Sequence, residues 1–489
     1  MRSALFLATE LCLSAGLALS QGTSINAPGA APNRPAYITH VIVIDTATGK
    51  ESPDRTVVIS GDRISEVKAS KKATPPAGAK VVDGKGRYLI PGLWDMHVHT
   101  WFEPATYPLY IANGVTGVRD MWGPPRPILG KAPDAKTFRL ELAATQVLAP
   151  HFYLASPIID GHPKTWPGSV EVNTPEEARK VVDEQVRNGA DFIKIYNRLS
   201  REAYFAIIDE SRRQEIPVEG HLPTLITAWE ASNAGQKSVE HLSGIAVACS
   251  TREEELRPKI AAAADLKERY RLTTAEAWPS YSEAKCERLF REFKKNSTWQ
   301  VPTLTVLRST GMLNDEQFRR DDRVRFFGGV YRDALVAKDD FRFKTFTAED
   351  FAMQRQVFAH DQKLVGAMFR AGVPMLAGTD AHNPFCFPGF SLHDELALLV
   401  ESGVSALGAL QAATRNAAIF MEATDKYGSV APGRVADLVV LDADPLKDIH
   451  NTTKISEVFL SGKEFDRAAL DQMLRNAEAA AATTPSSSN

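Results

Sequence analysis

Eight short apolar runs, spaced by helix-like or loop segments, occupy the chain from Arg87 to about Met421 and constrain its fold most strongly. They read YLIPGLWDMHVH, VTGVRDM, FYLASPII, DFIKIY, IPVEGHL, SVEHLSG, WQVPTLTV and PMLAGTDA. Apolar strands alternating with helical connections are the pattern of a parallel sheet buried on both faces. Eight of them predict an α/β fold built on a closed (β/α)8 TIM-like barrel over residues 89–421. Before it, residues 37–88 carry β-branched runs broken by turns, such as ITHVIVID and RTVVISGDRISEVK, the pattern of hairpin strands. After it, GSVAPGRVADLVVLD and ISEVFLSGKEF repeat that character over residues 422–470. The two ends are therefore expected to pair into a small discontinuous β-sandwich, with the barrel inserted between its halves.

Between the sixth and seventh runs, Thr251–Thr298 is long, charged and rich in helix formers. It reads either as a helical insertion over the barrel mouth or as a lengthened barrel helix pair, and both place it where it can shape substrate access. Residues 471–489 degrade into Ala, Thr, Pro and Ser and read as a frayed tail. Residues 1–20 have the order of an export signal: Arg2, an apolar stretch, then Ala18-Leu19-Ser20 before Gln21. Residues 21–36 read as a linker, so the mature protein is expected to be periplasmic or secreted. No later stretch reaches the roughly 18 uninterrupted apolar residues of a membrane span. Lys plus Arg at 57 nearly balance Asp plus Glu at 60, which excludes a basic nucleic-acid surface and leaves a small molecule as the expected partner. Cys12 leaves with the signal. Cys249, Cys286 and Cys386 are too widely spaced for a metal clip and allow at most one bridge, so packed free thiols are expected.

Chemistry concentrates at the ends of these runs. His97 and His99 are two apart on a strand, so their imidazoles share one face and can converge on one metal. The pair ends the first run, and the carboxyl ends of barrel strands are where such folds place active sites. His221 ends the fifth run, His241 the sixth and Asp380 the eighth. Taken singly, each has an ordinary use, the histidines as core or loop residues and Asp380 as a helix N-cap. Lys194 lies inside FIKIY, among residues expected to be buried. Burial favours its neutral amine, the form able to add carbon dioxide and become a bridging carbamate, although a lysine there can also reach the rim or pair with a carboxylate.

HxH on the first strand, Lys on the fourth, His on the fifth and sixth, and Asp on the eighth resemble the amidohydrolase superfamily in its two-metal subtype. The stretches PGLWDMHVHT, NGVTGVRD, ADFIKIY, VEGHLP, KSVEHLSG, LAGTDA and APGRVADLVVLD carry the resemblance, which spans about Tyr37 to Asp466. It is strongest with the imidazolonepropionase-like and prolidase-like branch, which includes dipeptidases and N-acyl amino acid hydrolases. The resemblance implies two divalent metal ions, one held by His97, His99 and Asp380 and the other by His221 and His241, with carboxylated Lys194 bridging them. Zinc is the default for such donors, with manganese, cobalt or iron as alternatives. The implied reaction is cleavage of a C–N amide bond by metal-activated hydroxide, with Asp380 as proton shuttle.

The substrate side is read more openly. Tyr196 shares the strand face of Lys194 and can reach the pocket, and His162, in DGHP, can stabilise a carbonyl oxyanion; both have equally ordinary readings as packing or loop residues. His393 is expected on a helix surface, and Arg119 in a structural ion pair under the site. The same chemistry serves cyclic amides, lactones or other esters, and a non-catalytic binding or assembly homologue is the competing reading from another class. A homo-oligomer is expected by resemblance alone.

Overall fold

The computed structural model describes residues 35–100, 106–124, 133–145, 147–263, 265–328, 332 and 342–483. The export signal and nearly all of the linker read from the sequence lie outside these residues.

The two ends of the chain meet in one eight-stranded sheet. Leu438–Leu441 runs antiparallel to Tyr88–Pro91, pairing Leu438 with Pro91 and Val440 with Leu89. From this seam the sheet extends on one side through Ile455–Leu460 and Lys463–Asp466. On the other side it extends through Ala36–Ile44, Glu51–Ser60 and Arg63–Ala69, and Lys80–Asp83 joins Ala36–Ile44. Because strand side chains alternate, one face collects Ile38, Val57, Ile64, Leu89, Val440 and Phe459 into a core of its own. These β-branched runs are separated in sequence by more than 300 residues, and this shared core is what draws them together.

The middle of the chain forms two parallel sheets. Leu93–Val98, Val115–Asp120 and His151–Leu154 make the first. In the second, Ile159–Asp160 stands between Val170–Glu171 and Ile193–Ile195, followed in order by Val218–Gly220, Ser238–Glu240 and Trp299–Val301. All six residues of Leu93–Val98 are buried, as are those of Val115–Asp120, as expected of strands covered on both faces. Of the eight runs, PMLAGTDA forms no strand of its own. Its main chain nevertheless bonds on both sides: Leu376 N–H donates to Gln300 O at 3.0 Å, and Met96 N–H donates to Ala377 O at 2.8 Å. Parallel bridges join Gln300 to Met375, Val98 to Ala381 and Ala155 to Phe192, linking the sheets at these points.

Between the sixth and seventh runs, helices Glu253–Ala262, Leu266–Arg271 and Glu283–Asn296 occupy the charged stretch singled out in the sequence. A second helical region, from Leu304–Met312 to the 24-residue helix Ala348–Ala371, follows the seventh run. Lys267 pairs with Asp350 at 2.7 Å, tying the two regions together.

Three expectations are corrected. Cys249 and Cys286 form a disulfide, their Cα atoms 4.7 Å apart, and among the described residues only Cys386 is a free thiol, which is buried. Helix Glu283–Asn296 returns over Ile245–Ala248, and Ser282 N–H donates to Cys249 O at 2.8 Å, a proximity that spacing along the chain does not encode. The C-terminal segment is not frayed over most of its length. Arg467–Thr483 is a helix with Leu470, Ala477 and Ala481 buried, because its alanine-rich sequence has high helix propensity and its apolar side chains recur at helical spacing. His393 is not on a surface: its ring is buried and hydrogen-bonds Thr452 Oγ1 at 2.9 Å and Asn113 O at 3.0 Å.

The disulfide carries a prediction. It closes a loop of sequence separation 37, for which chain entropy gives a stabilisation of about 4 kcal/mol. Reduction, or Cys249→Ser, is expected to lower the melting temperature, read by thermal denaturation with and without reductant. An unchanged melt would contradict this.

Candidate metal centre

The strand that carries His97 fixes it from below. Asp95, two residues earlier, accepts from Thr379 Oγ1 at 2.7 Å and from Thr379 N–H at 3.0 Å, pinning the first run to the eighth. Asp380 follows directly, its N–H donating to His97 O at 2.8 Å. Its Oδ1 lies 3.0 Å from His99 Nε2 and 3.4 Å from His97 Nε2. The three side chains offer donor atoms within 4.8 Å of one another.

His221 and His241 complete the group from the fifth and sixth runs. The ring centroid of His241 is 4.5 Å from that of His97 and 4.8 Å from that of His221. Lys194, from the fourth run, is buried in the same group, which lines one cavity of about 530 Å3 together with Tyr196. His97 lies beneath the cavity, fully buried. Two of these residues, and Thr303 beside His241, hold backbone conformations uncommon outside glycine, with φ of +56° at His241, +61° at Asp380 and +50° at Thr303. Such strain gathers where geometry serves function.

Three of the four histidines are held by one ring nitrogen, which decides what the other can do. His97 Nδ1 is 2.7 Å from Glu240 Oε2, His221 Nδ1 is 3.0 Å from Asn197 Oδ1, and His241 Nδ1 is 2.7 Å from Thr303 Oγ1. His97 Nε2 and Asp380 Oδ1 are buried with no hydrogen-bond partner among the described residues. Orphaned acceptors that face one another in a protein interior are costly, and a cation between them satisfies both. Burial, reinforced by neighbouring cations, holds the His97 and His221 pKa values well below the ordinary histidine value, and burial brings His241 down to about 4. All three are then neutral at neutral pH, the form that donates a lone pair to a metal. Burial works against the Asp380 carboxylate, but His241, His99 and Lys194 hold its pKa below the usual value. Burial lowers the Lys194 pKa to about 8, against an opposing pull from Glu240, which leaves a much larger fraction of free amine than an exposed lysine has. The donor set therefore fits divalent metal.

Beneath the cluster lies a layer of charge. Arg119 is buried, with its guanidinium 2.7 Å from Glu219 Oε2 and 2.8 Å from Glu240 Oε2, and its Nε donates to Met96 O at 2.5 Å. This is the structural ion pair expected of it. Sequence reasoning missed Glu240, which joins Arg119 to the His97 ring. The available signal was Arg119, Glu219 and Glu240 together, three charges inside runs buried on both faces, where each needs a partner.

Tyr196 reaches the cavity as expected: its ring centroid lies 4.0 Å from that of His221, and its hydroxyl accepts from Trp166 Nε1 at 2.9 Å. His162 is not brought to the cluster. Its side chain is 72% exposed and pairs with Glu171 Oε1 at 2.9 Å, because the DGHP turn directs it to the surface, so the oxyanion role falls away. Both helical regions contribute to the cavity wall, Arg257, Ile260 and Arg269 from the first and Val306, Val357 and Asp361 from the second. The second contribution was not read from the sequence.

Gly378 permits the close approach of the eighth run to His97. A Cβ there would lie 2.7 Å from His97 Cβ and 2.9 Å from His97 N. Gly378→Ala is expected to displace His97, costing about 1–3 kcal/mol and weakening metal retention. Melting temperature and metal content measured together check this, and a variant unchanged in both would contradict it.

The amidohydrolase family model matches residues 88–465. Among solved structures, the chain is similar to bottromycin amidohydrolase, with 24% identity, 92% of each chain covered and a TM-score of 0.74. It is similar to a Xaa-Pro dipeptidase with bound methionine in its active site, with 20% identity, 88% of this chain and 100% of that one covered and a TM-score of 0.61. A. niger ochratoxinase aligns with 19% identity, over 88% of this chain and 96% of that one, with a TM-score of 0.60. Comparison with curated proteins gives no match.

Proposed function

The chain belongs to the amidohydrolase family, and from that premise we propose that this enzyme is a two-metal hydrolase cleaving the C–N amide bond of a small molecule. The observation that carries this reading is the convergence of His97, His99 and Asp380, with His97 Nε2 and Asp380 Oδ1 buried and without a hydrogen-bond partner among the described residues. His97, His99 and Asp380 would hold one ion and His221 and His241 the other, with Lys194 bridging as its carbamate. Zinc is the ion these donors favour. When bound, such ions act as Lewis acids on the scissile carbonyl and lower the pKa of water.

The chain's own residues supply the rest. Glu240, Asn197 and Thr303 hold the imidazoles in fixed orientations, so the site is preorganised. Asp380 takes the proton of the attacking water and returns it to the departing nitrogen, a step amides need because an amide anion is a poor leaving group. Tyr196, at the cavity wall beside His221, positions the substrate. We read the two parallel sheets and the eighth run as one closed (β/α)8 barrel over residues 89–421, a reading supported by the parallel bridges between them. The flanking segments 37–88 and 422–470 are read as the small β domain. Export to an oxidising compartment is part of the proposal, and the Cys249–Cys286 disulfide supports it.

The test is a product assay on purified, metal-loaded protein. Dipeptides, N-acyl amino acids, cyclic amides and esters are offered in parallel, with chelated protein as control. Metal-dependent release of a primary or secondary amine supports the reading. Turnover of esters or lactones alone, or none after metal loading, overturns it.

A further inference from the structure

One acidic group in the cavity wall has no hydrogen-bond or ion-pair partner among the described residues. Asp361 lies in helix Ala348–Ala371, one turn beyond Val357, and both line the cavity. The residue is only 6% exposed, yet its carboxyl makes no hydrogen bond or ion pair among the described residues. Other buried acids are served: Asp95 by Thr379, Asp120 by Thr100 N–H at 2.8 Å, and Glu395 by the N–H groups of Leu304 and Thr305 at 3.0 and 2.8 Å.

The cavity's guanidinium groups do not reach Asp361. Arg257 is paired with Glu253, Arg269 donates to Thr224 Oγ1 at 2.8 Å, and Arg342 donates to Asn383 Oδ1 at 2.8 Å. Burial alone pushes the Asp361 carboxyl up to about 8, with no neighbouring cation to offset it. A buried carboxyl that the fold leaves unserved, facing a cavity able to hold a small molecule, is a group whose partner arrives with the ligand. A cationic donor matches it best, since it restores the charge that burial disfavours.

We propose that Asp361 is a specificity-determining residue of this site, binding a protonated amino group carried by the amide substrate. The inference rests on the reading of the cavity as an amide-hydrolase site, and it narrows the substrate class: amides with a free amine are preferred to their N-acylated counterparts. The residue comes from the second helical region, outside the six side chains assigned to metal.

Calorimetric titration of the full chain tests it, using Leu-Phe and N-acetyl-Leu-Phe as probes in the slow Asp380→Asn background. Leu-Phe is expected to bind roughly 10- to 100-fold more tightly, the scale of one hydrogen bond to a charged group. Adding Asp361→Asn should reduce the preference to about 2-fold or less while leaving the affinity for N-acetyl-Leu-Phe unchanged. Asp361→Ser serves as a second variant, and retention of the parental melting temperature shows that each remains folded. Equal binding of the two peptides, no binding of either, or an Asp361 substitution that weakens both alike overturns the proposal. Turnover by the parent protein is read separately. If Leu-Phe is preferred in binding but the metal-loaded parent releases amine from none of the dipeptides, N-acyl amino acids and cyclic amides offered, the role of Asp361 in binding an amine stands and the amide-hydrolase reading fails.

Discussion

Asp380→Asn is expected to lower kcat on an amide substrate by about 10²- to 10⁴-fold, the usual range for removing a positioned proton carrier. The substitution keeps the shape of the side chain and removes its charge and its capacity to accept a proton. Oδ1 sits 3.0 Å from His99 Nε2 and 3.4 Å from His97 Nε2, so the carboxylate is also the anionic member of the first donor group. The loss corresponds to about 3–5 kcal/mol of transition-state stabilisation. The fold should survive, because the Asp380 contact that pins the eighth run to the first is a main-chain bond to His97 O, which asparagine retains. Steady-state kinetics with a melting curve on the same sample check both halves. A variant that turns over at the parental rate would remove Asp380 from the proposed proton path.

Arg119→Met is expected to cost about 3–5 kcal/mol of stability, the scale of breaking a buried ion pair from one side. Methionine is apolar and flexible, so the main loss is electrostatic. Glu219 and Glu240, both buried, would each lose the guanidinium that faces them at 2.7 and 2.8 Å. Burial already pushes Glu219 up to about 7 with Arg119 in place. The consequence reaches the site, because the oxygen of Glu240 that Arg119 holds also orients His97 Nδ1. Metal affinity should therefore fall by roughly 10- to 100-fold, as when the outer partner of a ligand is lost. Chemical denaturation and competition with a chelator measure the two effects. If stability falls while metal affinity does not, Arg119 supports the fold without supporting His97.

Much of this arrangement was legible in the sequence. Parallel strands buried on both faces read as unbroken apolar runs, and residues near the carboxyl ends of these runs gather in one cluster, so His97, His221, His241 and Asp380 were visible by position. Lys194 stood out as a charge among residues that had to be buried. The pairing of the chain ends followed from two segments of the same alternating character. Other features depend on contacts between distant segments, which no local pattern records. The Cys249–Cys286 bond arises from the return of one helix over another. His393 and His162 share a residue type, yet one ring is locked between Asn113 and Thr452 and the other points to solvent. In the C-terminal segment, alanine is common to frayed tails and to helices, and the burial of Leu470, Ala477 and Ala481 decides for the helix. Asp361 carried no signal, because an acidic residue in an amphipathic helix is ordinary until its face is known.

Metal content per chain, measured by elemental analysis on the purified protein and on Lys194→Ala after identical metal loading, tests the central claim most directly. Two equivalents of divalent metal in the parent, falling to one or fewer in the variant, is the result predicted for a pair of sites joined through Lys194. Fewer than two in the loaded parent, or both ions retained in Lys194→Ala, would contradict it.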